Sequence, residues 1–422
     1  MTEEFLHYIW KNRLLTGSLE TVSGEALTVI DPGEKNTDGG PDFFNARIRI
    51  GTTTWVGNVE IHIRSEDWFC HKHHLDPVYD NVILHVVFSN EKPATFRSGS
   101  LIPALVVEGK YPGWIYDCYR DLQENQRWVP CEQMIRLLDA FVLDQWSPAL
   151  CIERMEEKMK RFSQVLTYCR YDWEETFYIL LVRSFGFRVN AQPFELLGKS
   201  LSIKILEKHR NNLFQMEALL FGQAGMLRPD FPDDYPKQMQ LEFEFLRQKY
   251  QMTPINGSLW KFLRMRPSNF PTLRIAQLAV LFHRSENLFS FFLQAQNTAE
   301  LRDALAVKAG DYWNDHYLFG KVSPHQHKML GPSAILLLIV NFVVPFLFFY
   351  GDEKGLPQYK EKGIQLLEEL PAESNEVLSS WKEMGICVPD ALHAQALLQL
   401  KTRYCDRRRC LQCRIGRALL TS

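Results

Sequence analysis

Glu60 and His62 stand two residues apart in Val59-Glu60-Ile61-His62-Ile63. In a strand, that spacing puts both side chains on one face and leaves Val59, Ile61 and Ile63 to the other. Asp42 follows Gly39-Gly40-Pro41 and so enters the preceding strand from a turn. His71, His73, His74 and Asp76 come next in a loop, Asp80 stands at a strand entry, and His85 lies inside the apolar run Ile83–Val87. Two carboxylates on neighbouring strands are suited to hold a hard dication, Mg²⁺ or Mn²⁺, which polarises a phosphate and activates water. In that chemistry Asp42 and Glu60 are the metal ligands and His62 orients or deprotonates the water. His71, His74, Asp76 and His85 line the pocket. Imidazole donors suit zinc or another transition ion instead, with His71 and Asp76 joining Glu60. In the plainer alternative, Glu60 and His62 are the solvated face of a half-buried strand, His85 is a core histidine, and the loop histidines are surface residues. Strands do not ordinarily gather this much titratable chemistry without use, which favours a site.

A second constellation lies at the other end. Cys405, Cys410 and Cys413 form C-x4-C-x2-C. The C-x2-C pair lets two thiolates meet one metal from a tight turn, and a third thiolate nearly completes a tetrahedral zinc site. The same spacing matches part of a plant-type iron–sulfur ligand set, which needs one more distant cysteine. Cys131, beside Pro130, and Cys387 are the candidates; Cys131 is preferred because it would clip the C-terminus back against the first domain. Arg403, Arg407, Arg408, Arg409, Arg414 and Arg417 surround the cluster and form the strongest basic run in the chain. It is the one local stretch with the look of a phosphate-backbone contact for nucleic acid.

The elements that must position these residues divide the chain in two. Thr2 is read as the cap of a first helix, with Phe5, Ile9 and Trp10 facing inward. Short β segments follow at Leu27–Ile30, Phe44–Ile50, Trp55–Ile63, Val82–Phe88 and Ala104–Val107, the second and third forming a hairpin. Helical punctuation dominates afterwards. Ser147-Pro148 is read as a cap and first helical residue, and later helices are expected at Glu174–Ser184, Gln215–Phe221, Pro236–Tyr250, Thr272–His283, Ala334–Tyr350 and Asp390–Tyr404. The expected fold is α+β: a small mixed-sheet domain over residues 1–125, then a larger all-α domain over residues 126–422 that carries the cysteine cluster.

Composition bounds the partners. The chain has 422 residues, of which 46% are hydrophobic, and a net charge of −2. It therefore buries sizeable cores and has no global field for nucleic acid or anionic membrane. The acidic start and nine thinly spread cysteines point to a reducing, cytoplasmic setting. Ala334–Tyr350, AILLLIVNFVVPFLFFY, falls short of a usual membrane span of ~20 residues. With Asn341 and Pro345 at its centre, it is read as a buried core helix, with no membrane partner. No GxGxxG, GxxxxGK[ST], HExxH or GxSxG occurs, so dinucleotide, P-loop, zincin and serine-hydrolase chemistry have no support.

Two resemblances add to this. Pro41-Asp42, a hairpin, and then Glu60-Ile61-His62 resemble the PD-(D/E)XK nuclease core, a restriction-endonuclease-like fold. The departure is His62 where that pattern has lysine, because a histidine holds no permanent charge at neutral pH. Phe5-Leu-His-Tyr-Ile-Trp10, Gly40-Pro-Asp-Phe-Phe-Asn-Ala46, Gly57-Asn-Val-Glu-Ile-His62 and Tyr79-Asp-Asn-Val-Ile-Leu-His-Val86 are similar to the bacterial domain-of-unknown-function family numbered 2851. So are Glu217-Ala-Leu-Leu-Phe-Gly-Gln-Ala-Gly225, Arg264-Met-Arg-Pro-Ser-Asn-Phe-Pro271 and the Cys405–Gly416 segment. That family implies no activity. The expectation from the residues is a metal-dependent, nuclease-like phosphodiesterase acting on DNA or RNA. The alternatives are a non-catalytic scaffold with a degenerate nuclease-like domain, and a His/Asp-ligated metallohydrolase acting on another substrate.

Overall fold

A computed structural model of the chain describes residues 1–137, 139–227 and 230–421. Contacts divide it into two compact units, Met1–Leu143 with Thr402–Ser422, and Asp144–Lys401. The boundary expected at residues 125/126 therefore falls at 143/144, and the cysteine-bearing tail belongs to the first unit rather than to the helical one. The reason is apolar: Leu411 and Leu420 are buried in the same core as Phe5, Ile9 and Trp10, a long-range contact that no local pattern encodes.

The first unit is a mixed sheet with helices. Helix α1 (Glu3–Lys11) begins at Thr2, whose hydroxyl accepts the Phe5 N–H at 3.3 Å, and Glu3 and Glu4 face the positive end of its dipole. The strands are β1 (Leu19–Glu20), β2 (Ala26–Asp31), β3 (Glu34–Lys35), β4 (Phe43–Ile50), β5 (Thr53–Arg64), β6 (Val82–Ser89) and β7 (Ala104–Val106). The sheet runs β1-β2-β4-β5-β6-β7, with β3 beside β4. Pairing is antiparallel as far as β5 and parallel from β5 to β6 and from β6 to β7. The β4–β5 hairpin is the one expected from sequence.

Two features of this sheet position the site. First, the β4–β5 register shifts between Phe43/Val59 and Ala46/Gly57, a bulge in which Asn45 takes the left-handed conformation (φ 56°). A bulge bends its strand and re-aims its side chains, and here it precedes the point where Asp42 meets β5. Second, parallel strands need a crossover. The one between β5 and β6 is short: α2 (Asp67–Cys70) and two 3₁₀ turns, His73–Leu75 and Pro77–Tyr79. It lays Trp68, His71, His73 and Tyr79 against the face that carries Glu60 and His62. After β7, helix α3 (Gly113–Glu124) completes the unit's core with Ile115, Tyr119 and Leu122.

The second unit is helical but not purely so, since His316–Leu318 pairs with Lys321–Val322 as a small antiparallel hairpin. Its helices include Ser147–Tyr168, Trp173–Phe185, Leu213–Gln223, Asp234–Tyr250 and Pro271–Arg284, close to the expected spans. Ser147 is already inside its helix, and Trp146 holds the capping position. The apolar segment Pro332–Lys354 is long and apolar enough to cross a membrane, and 72% of its most apolar window is buried inside the protein. A π-helical turn at Ile339–Val343 precedes Pro345. A proline inside a helix lacks the N–H and crowds the carbonyl four residues back, and the wider turn accommodates both. It also directs Asn341 outward, where its Oδ1 accepts from Lys158 Nζ at 3.1 Å.

Candidate metal centre

Both acids anchor to the backbone of the other's strand. Asp42 N–H donates to Glu60 Oε2 at 3.1 Å, and Ile61 N–H donates to Asp42 Oδ2 at 2.9 Å. His7 Nε2, from α1, lies 3.2 Å from Asp42 Oδ2. Glu60 is thereby oriented with Oε1 towards two imidazoles, His73 Nε2 at 3.3 Å and His62 Nε2 at 3.5 Å. His62 Nε2 is also 3.2 Å from His71 Nδ1. The donor atoms of His62, His71 and His73 all lie within 4.8 Å of one another. Among the described residues, this is the group of three such donors close enough to share one ion.

The tautomers are assigned from the network. His62 Nδ1 and His85 Nε2 are 2.9 Å apart, so one carries the proton between them. With the proton on His62 Nδ1, the Nε2 lone pair turns to Glu60, His71 and His73; an imidazole so held is poised to ligate a metal. His85 is fully buried on β6, directly opposite Glu60 in the parallel register. Its Nε2 meets the His62 ring from within the core.

Burial sets the charge states. Glu60 and His62 are only 5% and 2% exposed, respectively. The solvated-strand alternative is therefore excluded, because Trp68, Tyr79 and the loop histidines cover that face. Burial pushes the Glu60 carboxyl up to about 8, with Asp42 adding to the rise. Burial and the neighbouring imidazoles hold His62 down at about 3, and burial does the same to His85. Desolvation also lowers His73. Neutral imidazoles beside a carboxyl that ionises only at a cost are what a buried dication reverses: it supplies the positive charge this pocket lacks. His73 Nε2 and His7 Nε2 lie close to Glu60 and Asp42 oxygens, but neither contact has hydrogen-bond geometry.

Other expected residues lie apart. Asp76 caps the Pro77–Tyr79 turn through Val78 N–H at 3.0 Å. His74 packs on the Phe69 ring. Asp80 pairs with Arg97 at the surface. Lys72, between His71 and His73, is exposed and left-handed (φ 63°), so it serves the turn that separates them. The residues added by the structure are His7, Glu3, Trp68 and Tyr79. Tyr79 stacks on His73 with ring centroids 3.9 Å apart, and its hydroxyl is pushed up to about 12 by burial, with Glu60 and Asp42 next. His7 carries a faint sequence signal, a histidine in the apolar run Phe5–Trp10, but no spacing rule links it to Asp42.

A family model described as "Protein of unknown function (DUF2851)" matches residues 3–376. No curated protein and no solved structure matches the chain.

Proposed function

Since the chain belongs to the DUF2851 family, whose description carries no activity, we propose a function from the site alone: a transition-metal-dependent hydrolase of nuclease-like type. Its substrate is a nucleic-acid phosphodiester. The observation that carries this is the convergence of His62, His71 and His73 within 4.8 Å, with Glu60 Oε1 3.3–3.5 Å from two of them. Imidazole donors favour zinc, iron or a similar ion over Mg²⁺, so the oxygen-only Mg²⁺ or Mn²⁺ site expected from Asp42 and Glu60 gives way to a mixed donor set. Such an ion, when bound, polarises a phosphoryl oxygen and lowers the pKa of its water towards about 7.

The chain's own residues do the rest. Glu60, His62, His71 and His73 hold the ion, Asp42 fixes Glu60 through its N–H, and His85 fixes the His62 ring. His7 neighbours the Asp42 carboxylate. Substrate class is supported by the order of elements, in which a helix, antiparallel strands carrying Asp42 and Glu60, a short helical crossover and a parallel strand resemble the PD-(D/E)XK core. The neutral, buried His62 departs from that core's lysine, so this position would bring no fixed positive charge to the substrate.

The test is metal content and cleavage together. The wild type is expected to bind one zinc or cobalt ion per chain at this site and to cut single-stranded or duplex DNA or RNA with it, but not with Mg²⁺. Glu60→Gln and His62→Ala are expected to lose both binding and cutting. His85→Phe keeps every ligand but not the Nδ1 partner, so its affinity is expected to fall roughly 10–100-fold. Metal binding without cleavage of any nucleic acid overturns the phosphodiester reading, and no binding at all overturns the metal centre.

A further inference from the structure

The C-terminal tail carries a second set of donors remote from the histidines. Cys131, Cys405, Cys410 and Cys413 are each 6–9% exposed and none is in a disulfide. Four buried thiols in one unit of a chain that leaves Cys70 and Cys387 at the surface need a reason. The backbone brings three of them round one turn. Arg408 N–H donates to Cys405 O at 3.1 Å, Arg409 N–H to Tyr404 O at 2.9 Å, and Cys413 N–H to Cys410 O at 3.3 Å. Gly416 lies so close to this turn that a Cβ there would stand 2.2 Å from Cys410 O. Cys131 comes from 274 residues earlier than Cys405, yet the chain beside it is tied to this turn, because Asn125 Nδ2 donates to Pro130 O at 3.0 Å and Asn125 O accepts from the Arg408 guanidinium.

We propose that Cys131, Cys405, Cys410 and Cys413 ligate an iron–sulfur cluster that fastens the tail to the N-terminal unit. The spacing C-x4-C-x2-C with one remote cysteine is an iron–sulfur pattern. Sulfur separation favours it over zinc. A single zinc at a Zn–S distance of ~2.3 Å gathers its four sulfurs to about 3.8 Å of each other. Among the described residues, no three of these sulfurs come within even 4.8 Å. A cluster spreads its ligands wider because the four cysteines are divided between separate irons.

Arg408, read from sequence as a phosphate contact, works here in the fold. Its guanidinium donates to Leu122 O at 2.9 Å and to Asn125 O, and Gln123 Nε2 donates to Arg408 O at 3.0 Å. The arginine and the cluster thus hold the same turn from two sides.

The full chain, expressed with iron and purified without oxygen, decides the matter. It is expected to be brown, with broad visible absorption and iron and acid-labile sulfide in near-equal amounts. Cys131→Ser, Cys410→Ser and Cys413→Ser are each expected to lose at least half the iron and sulfide, while Cys169→Ser and Cys387→Ser, both in the other unit, keep both. Glu60→Gln is also expected to keep both, which separates this cluster from the histidine centre. Wild-type protein that is colourless, whether it holds zinc or no metal, overturns the proposal without reference to any variant's folding. Acid-labile sulfide that survives in all three ligand variants overturns it as well.

Discussion

Glu217 illustrates, at the scale of one residue, how burial alone turns a side chain into a pH sensor of stability. It lies fully buried on the helix Leu213–Gln223. Its carboxylate accepts from Trp313 Nε1 at 3.2 Å and from the Tyr235 hydroxyl. Burial raises it to about 7 even against those two hydrogen bonds. Its proton is bound more tightly in the folded chain than in the unfolded one, where the ordinary value of 4.5 applies. The folded state therefore loses stability as pH rises from about 4.5 to about 7, and the loss is complete above that. Glu217→Gln is expected to flatten this slope, which amounts to at most about 3 kcal/mol. Urea unfolding of the helical unit at pH 5, 6, 7 and 8 reads it; an unchanged slope in the variant contradicts the assignment. The histidine site obeys the same rule in the opposite direction, since the imidazoles of His62 and His85 stay neutral because their charged forms would be buried.

The decisive element is β5. Its period of two puts Glu60 and His62 on one face, but the site exists because three neighbours close on that face: β4 with its bulge at Asn45, β6 with His85, and the crossover carrying His71, His73 and Tyr79. The close approach of β5 to the start of β6 depends on Gly57, where a Cβ would stand 2.5 Å from Ile83 Cγ2 and 2.8 Å from Asn81 O. Gly57→Ala is expected to cost about 1–3 kcal/mol by overpacking and to weaken metal binding, because it pushes apart the strands that bear Glu60 and His85. Thermal unfolding and metal titration of the same variant check both effects, and retention of full affinity would mean that the parallel pairing does not set the site.

The N-terminal unit, taken whole, is closed by its distant tail. Leu411 and Leu420 enter its core, Arg417 reaches Asn12 Oδ1 at 3.0 Å, and Gln412 reaches Glu4 Oε1 at 3.3 Å. A chain ending at Lys401 is expected to destabilise this unit by at least about 3 kcal/mol, the transfer of two buried leucines. Limited proteolysis should then cut within residues 1–143 first, and a truncated chain as resistant as the full one would show the tail to be dispensable.

Sequence by itself determined the periodic things. Apolar alternation marked β4 and β5, a continuous apolar run marked β6, caps and prolines marked most of the helices named, and period two put Glu60 beside His62. Close spacing marked Cys405, Cys410 and Cys413 as a group. Tertiary structure alone decided what surrounds them. His7 meets Asp42 across 35 residues and Cys131 nears Cys413 across 282. His85 meets His62 only through a parallel register, and the burial of Glu60 depends on Trp68 and Tyr79 folding over it. The division has a physical cause: local patterns arise from backbone geometry repeated every two or 3.6 residues, whereas charge state and coordination depend on which remote groups exclude water, and no period in the chain records that.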